Sequence, residues 1–190
     1  MELFEAIKGR RSCRNFSSEP ITEDIIMEII EAGTWAPSPL NGQPWEFIVI
    51  EDHTTKERIY QEAERCRKWG EEASGWKWLG KYRVDFLKSA PVLIAVVGDP
   101  AKTGLDAYLD EGGVGYQYAC AAAIQNMHLA AHGLGLSSLW FTLYDKKKMR
   151  EILDIPPEKN PVSIVCIGKP AGEIPAPPRK EVKEKVRFVR

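Results

Sequence analysis

Apolar positions along the chain follow two rhythms, one helical and one extended. Over Glu2–Lys8, Leu3, Phe4 and Ile7 share one side of a short helix that Gly9 stops. A second helix opens at Thr22, carries Glu23 and Asp24 in its first turn and Ile25, Ile26, Ile29 and Ile30 at helical spacing, and closes at Gly33. Trp45–Ile50, Val92–Gly98 and Val162–Gly168 are short aromatic or β-branched runs and read as strands, and Leu136–Leu143 is a further extended apolar run. Gly112–His132 predicts a long alanine-rich helix ended by Gly133 and Gly135, and Lys146–Leu153 a short one. Pro156, Pro157 and Pro161 mark a turn before the last strand. Because helices separate most of the strands, the pattern predicts a mixed sheet flanked by helices.

Two segments stand outside these rhythms. Residues 54–88 are charged and hold Trp69, Trp76 and Trp78 among Gly70, Gly75 and Gly80, which predicts a helical excursion rather than core. That cluster reads either as a satellite packing unit or as a lid over a substrate, and its rings suit flat aromatic ligands. Pro170–Pro178 cannot form a helix or a central strand. It leads into the charged stretch Arg179–Arg190, a tail expected to wrap over another surface.

Composition narrows the function. A chain of 190 residues is read as one domain, 1–190, with a core of its own. A formal charge of −1 offers no general field for nucleic acid or an anionic membrane, and no apolar run approaches the roughly 20 residues of a membrane span. With no targeting segment read at Met1–Lys8, a soluble cytoplasmic protein is expected. The four cysteines, Cys13, Cys66, Cys120 and Cys166, form no Cys-x-x-Cys pair. His128 and His132 stand four apart, but Leu129 follows the first where a metalloprotease carries its glutamate base, so no metal is expected.

Charge that matters is therefore local. Arg10-Arg11-Ser12-Cys13-Arg14 sets three guanidiniums and a hydroxyl within five residues, and forked guanidinium donors suit the oxygens of a phosphate monoester. Cys13, among these cations, reads either as a reactive thiol or as a small buried filler. Downstream, Ala36-Pro37-Ser38-Pro39-Leu40-Asn41-Gly42-Gln43-Pro44-Trp45 offers amides to a polar ring, although Asn41-Gly42 alone would be only a turn. A phosphate at one end and a heterocycle at the other outline a flavin mononucleotide.

These residues together resemble the nitroreductase family of FMN-dependent oxidoreductases. Arg10-Arg11-Ser12-x-Arg14 is similar to the family's phosphate and ribityl segment, and Pro37-Ser38, Asn41 and Gln43-Pro44-Trp45 to its flavin-ring loop. Gly115–Gly135, with Gln125-Asn126-Met127 and Ala130-Ala131-His132-Gly133-Leu134-Gly135, is similar to its long central helix and turn, and Gly168-Lys169-Pro170 and Arg179 complete the series. The resemblance covers nearly the whole chain.

It implies an α+β fold, an α/β sandwich with a mixed, mainly antiparallel sheet flanked by helices, assembled as an intertwined homodimer with FMN at the interface and 170–190 wrapping the partner subunit. Arg10 and Arg14 would pair with the phosphate, Ser12 with it or the ribityl chain, Arg11 with ribityl or the pyrimidine edge, and Arg179 would close on the phosphate. Pro37, Ser38 and Asn41, with Gln43 a weaker candidate, would line the ring from the partner. Leu139, Trp140 and Phe141, with Thr142, would offer backbone donors near flavin N5 and O4, and Gly168 and Lys169 would lie beside the cofactor. The implied activity is ping-pong hydride transfer from NADH or NADPH through flavin N5 to a small-molecule acceptor such as a nitroaromatic or quinone, with no catalytic acid or base. Other outcomes are a specialised flavin enzyme of this fold, such as a reductive dehalogenase or a flavin-cleaving synthase, or a non-catalytic flavin-binding redox sensor. Dehalogenases of the fold grip an amino-acid zwitterion with Glu, Tyr and Lys of the lid. Tyr60, Glu64 and Lys77 are available in that segment, and the sequence does not establish a match to that pattern.

Overall fold

Every residue of β2, Val92–Gly98, is buried, which a strand achieves only when both faces of its sheet are covered. The computed structural model describes residues 2–109 and 112–190 and puts β2 inside a four-stranded sheet with β1 (Trp45–Ile50), β3 (Ser137–Phe141) and β4 (Asn160–Gly168). Strand order is β1-β2-β4-β3, and all three neighbouring pairs run antiparallel. Among the described residues the parallel component of this α+β fold is one isolated bridge between Ser12 and Ser138.

Alternation along β2 divides the interior into two layers. Val92, Ile94 and Val96 point to the face covered by α2 (Glu23–Thr34) and α6 (Gly115–Gly133), where Ile29, Ala123, Ile124 and Met127 complete the packing. Leu93 and Ala95 point to the other face, which receives Ile59, Phe86, Leu87 and Met149 from α3 (His53–Ser74), α5 (Phe86–Ser89) and α7 (Lys146–Leu153). Among the described residues no helix is long and apolar enough to cross a membrane.

Four details depart from the sequence reading. The first helix, α1 (Leu3–Gly9), buries only Ala6, while Leu3, Phe4 and Ile7 face outward at 62%, 71% and 47% exposure. Its apolar side is real but has no cover among the described residues. Residues 54–88 contribute to the core in part: α3 sinks Lys56, Ile59, Glu62, Ala63 and Cys66 along one narrow stripe, while Trp69, Trp76 and Trp78 stay exposed. Glu62 accepts from Arg65 Nε and Nη2 at 2.7 and 2.8 Å and from the Asp145 backbone N–H at 3.0 Å, fastening α3 to the start of α7. Lys56 donates to the Ala90 carbonyl at 2.9 Å and to that of Pro91, so its buried ammonium is satisfied by backbone.

The alanine-rich helix begins at Gly115, later than its composition suggests, because the Asp106 carboxylate reaches the Val114 and Gly115 N–H groups at 2.8 and 2.7 Å and fixes the start there. Pro161 lies inside β4 rather than in the turn before it. β3 ends at Phe141, opposite Ile164, so this end of β4 has β2 as its sheet neighbour, and the register slips between Val96 and Val97. A missing N–H is tolerated at such an irregular strand end.

Candidate functional site: an arginine cavity beside a tryptophan cavity

Arg10–Phe16 runs as an extended segment at the margin of the sheet. Cys13 donates its N–H to Ser138 at 3.0 Å, Ser17 donates to Lys169 and Ala171 to Asn15, both at 2.9 Å, and Phe16 bridges Pro170. The segment is thus held between β3 and the start of the C-terminal tail. Alternation then turns Cys13 inward, at 1% exposure, and leaves Ser12 and Arg14 facing out. Burial raises the Cys13 thiol, and its Sγ lies 3.2 Å from the Asn15 carbonyl, which settles on the buried filler of the two readings for this residue.

Beyond this strip, 172–177 fold over the arginines of their own chain. They close a cavity of about 770 Å³ lined by Arg10, Arg11, Ser12, Arg14 and Arg179 among others. Burial, then the charges of Arg179 and Arg11, pulls the Arg10 guanidinium below its ordinary range. Glu173 also lines the cavity, but among the described residues none of these four arginines forms an ion pair with a carboxylate. Like charges gathered without a counterion are costly, and an anion relieves that cost. Arg11 turns back on α1, donating to the carbonyls of Lys8 and, at 2.9 Å, Arg10.

Arg14 separates this cavity from a second one of about 550 Å³. Its guanidinium carbon sits 5.8 Å from the centre of the Tyr82 ring. Four of the chain's six tryptophans, Trp69, Trp76, Trp78 and Trp140, line this second space together with Tyr82 and Phe141. Behind the strip, buried His128 shares a 2.7 Å hydrogen bond with Ser138 Oγ and packs its ring 6.0 Å from Trp140. Burial, with the nearby charge of Arg10, pushes His128 down to about 4, so it is neutral at physiological pH. His132 instead abuts Gly9, where a Cβ would stand 2.6 Å from its Nε2. Among the described residues no three His, Cys, Asp or Glu side chains gather as a metal site.

The remaining candidates lie elsewhere. Pro37, Ser38 and Asn41 line neither cavity. Their loop forms a short 3-10 turn, Pro39–Asn41, in which Leu40, Asn41 and nearby Gln43 adopt left-handed backbone angles with φ of 52°, 53° and 44°. Ser38 Oγ holds the turn by accepting the Gln43 N–H at 3.0 Å. Pro39 leans on Gly115, the first residue of α6, whereas Gly9 and the arginine segment adjoin the last turn of that helix at His132. Seventeen residues of helix separate the two places, roughly 25 Å at 1.5 Å per residue. One chain therefore does not bring the loop and the arginines together.

Leu139 is buried at 2% exposure, leaving its backbone as the accessible part, while Trp140 is 38% exposed. Gly168 lines neither cavity; a Cβ there would meet Pro91 Cδ at 2.7 Å and Phe16 Cδ1 at 2.9 Å, so its smallness serves packing. The Lys169 ammonium pairs with Glu19, outside both cavities. Sequence reasoning missed His128 as a prop for this site, and missed 172–177 as its wall. Neither carries a local signal, since one is a histidine whose partner Ser138 lies on another element and the other a proline-rich tail.

Residues 7–169 match the sequence model of the nitroreductase family. An iodotyrosine deiodinase of Thermotoga neapolitana is 31% identical over 188 residues, which cover 95% of this chain and 95% of that protein. A 5,6-dimethylbenzimidazole synthase of Rhodospirillum rubrum is 30% identical over 179 residues, covering 88% of this chain and 82% of the synthase. Among solved structures, an oxidised iodotyrosine deiodinase bound to FMN and 3-iodo-L-tyrosine superposes with a TM-score of 0.83 at 26% identity, covering 100% of this chain and 98% of that one. The family match spans the arginine segment, the loop, the long helix and all four strands, and the chain belongs to the nitroreductase family.

Proposed function

We propose that the protein is an FMN-dependent NAD(P)H oxidoreductase acting on a small electron-poor acceptor. The observation that carries the reading is the group of Arg10, Arg11 and Arg179 around one cavity with, among the described residues, no carboxylate paired to them, a donor set suited to a phosphate monoester. Bound FMN would supply two-electron chemistry, linking a reduced nicotinamide to the acceptor. Arg10 and Arg179 hold the phosphate, Ser12 adds a hydroxyl beside them, and Arg14, on the wall between the cavities, reaches the phosphate or the part of the cofactor that passes it. Backbone groups of Leu139, Trp140 and Phe141 orient the ring. Gly168 and Lys169 act at one remove, the first by letting Phe16 and Pro91 close up, the second by anchoring the neighbouring strip.

The site is shared between two copies. The loop of Pro37, Ser38 and Asn41 packs at Gly115 and the arginine segment at His132, positions about 25 Å apart along α6, so the loop reaches a cofactor held by the arginines only in a partner. Three non-glycine residues held left-handed in that loop, each costing about 1 kcal/mol or more, fit a loop kept for binding rather than for its own stability. The uncovered apolar side of α1 and the exposed Val182, Val186, Phe188 and Val189 of the tail supply surface for that partner. A single domain, 1–190, with 54–88 standing over the second cavity and the far tail embracing the partner, completes the proposal.

The test is anaerobic mixing of the flavin-loaded protein with NADH and with NADPH. Loss of flavin absorbance within seconds is the expected result; bleaching by dithionite but by neither nucleotide defeats the reading. A second reading, reductive dehalogenation, is favoured by the likeness to iodotyrosine deiodinases. Against it, Glu64 is held by two Arg67 nitrogens at 3.0 and 2.9 Å, and Arg67 donates to the Leu79 carbonyl at 3.0 Å, so that carboxylate is already committed.

A further inference from the structure

Arg14 is placed differently from the other arginines of its cavity. Arg10 is partly buried, and Arg11 is bound to backbone carbonyls. Arg14 instead faces out of the extended strip, and among the described residues it pairs with no carboxylate. A long side chain so placed has many rotamers open to it, and the cations that share its cavity push it toward solvent. What meets its guanidinium is the Tyr82 ring, whose centre lies 5.8 Å from Cζ, within the range of a cation–π contact.

Tyr82 is a fixed platform for that contact. It follows α4 (Lys77–Lys81) and donates its N–H to the Leu79 carbonyl at 3.1 Å. The same carbonyl accepts from Arg67 Nη1 of α3 at 3.0 Å, and the Leu79 side chain is buried. Around the ring, Trp78 packs edge-on at 5.8 Å and Phe86 at 6.3 Å, and Phe86 meets Phe141 edge-on at 5.5 Å. Phe86 and Phe141 are both buried, so a line of edge-to-face rings runs from the core out to the ring that meets Arg14. The chemistry of the platform matters. A carboxylate in its place would also hold Arg14, but it would neutralise the guanidinium and repel an anion in the cavity beside it. A ring attracts the cation and leaves both its charge and its N–H donors free.

We propose that Tyr82 is a positioning residue for the cofactor, holding Arg14 on the wall between the two cavities where its donors are available to the flavin nucleotide. Tyr82 lines the tryptophan cavity and not the arginine one, so it acts through Arg14 rather than by contact of its own with the phosphate. The role rests on the flavin reading of the arginine cavity.

A double-mutant cycle on FMN affinity, measured by isothermal titration of the flavin-free protein, separates positioning from packing. Tyr82→Leu is expected to weaken FMN binding roughly three- to tenfold, and Tyr82→Phe, which keeps the ring, to stay within about twofold of the parent. Arg14→Gln should weaken binding about tenfold, and with Arg14 already replaced, Tyr82→Leu should add less than about twofold. The same loss from Tyr82→Leu in both backgrounds would mean that the residue acts by packing alone, and overturns the proposal. No loss in Tyr82→Leu, or an equal loss in Tyr82→Phe, overturns it as well. A parent protein that binds no FMN brings down the flavin reading and this role together, whereas failure of the cycle in a parent that binds FMN brings down this role alone. Reduction by NADH or NADPH enters none of these measurements.

Discussion

Arg10 and Arg179 line a single cavity, although they come from opposite ends of the chain, and among the described residues no carboxylate is paired with either. Their mutual repulsion is a cost that a bound anion, on the proposed reading the FMN phosphate, would relieve. Arg179→Gln should therefore weaken FMN binding by roughly 10- to 100-fold, the worth of one or two charge-assisted hydrogen bonds. The same change should leave the melting temperature of the FMN-free protein equal or higher, since it removes repulsion. Fluorescence titration of FMN and a thermal melt read the two effects. Unchanged FMN affinity would remove Arg179 from the phosphate site.

Gly168 separates a packing role from a binding role. Its neighbours Pro91 and Phe16 are rigid, and Phe16 is 4% exposed, so an added Cβ has no flexible side-chain end to displace. Gly168→Ala is expected to cost about 1–3 kcal/mol, lowering the melting temperature by roughly 2–10 °C for a chain of this size. A loss of FMN affinity with no change in melting temperature would show that the glycine touches the cofactor instead.

A buried neutral histidine makes stability depend on pH. His128 stands at about 4 in the folded protein against about 6.5 in the unfolded chain, so between these values the unfolded state binds the extra proton. Its contribution is intact above pH 6.5 and declines as pH falls, by about 3 kcal/mol at most on reaching pH 4. His128→Gln, which retains a hydrogen-bonding group near Ser138, should flatten that part of the profile. Urea unfolding at pH 4.5 and pH 7.5 measures it, and an equal pH slope in both proteins would contradict the assignment.

How much of this was legible in the sequence depends on which kind of contact was being read. Trp45–Ile50 and Lys146–Leu153 emerge with the boundaries expected of them, because a β-branched run and an aspartate cap at Asp145 are local signals. Periodicity also groups Leu3, Phe4 and Ile7 correctly on one side, yet it is silent on what covers that side, and among the described residues nothing does. In α3 the abundance of charge hides a buried stripe whose members include Lys56 and Glu62, two residues that burial ordinarily excludes. They are admitted because backbone groups and Arg65 satisfy them. The wall formed by 172–177 depends on the pairing of Ala171 with Asn15, a contact between distant parts of the chain.

The central claim is that each FMN site takes its arginines from one copy and its loop from the other. Two variants test it together: Arg10→Ala with Arg179→Ala in one chain, and Ser38→Ala with Asn41→Ala in a second. Each alone should bind little FMN. Unfolded together and refolded as a mixture, they form mixed dimers in which one site is doubly damaged and the other intact, so that FMN returns to about one site in four. FMN stoichiometry by absorbance gives the answer. Recovery near that fraction is the predicted result, and no recovery, in a mixture verified to contain mixed dimers, would mean that each site is completed within a single chain.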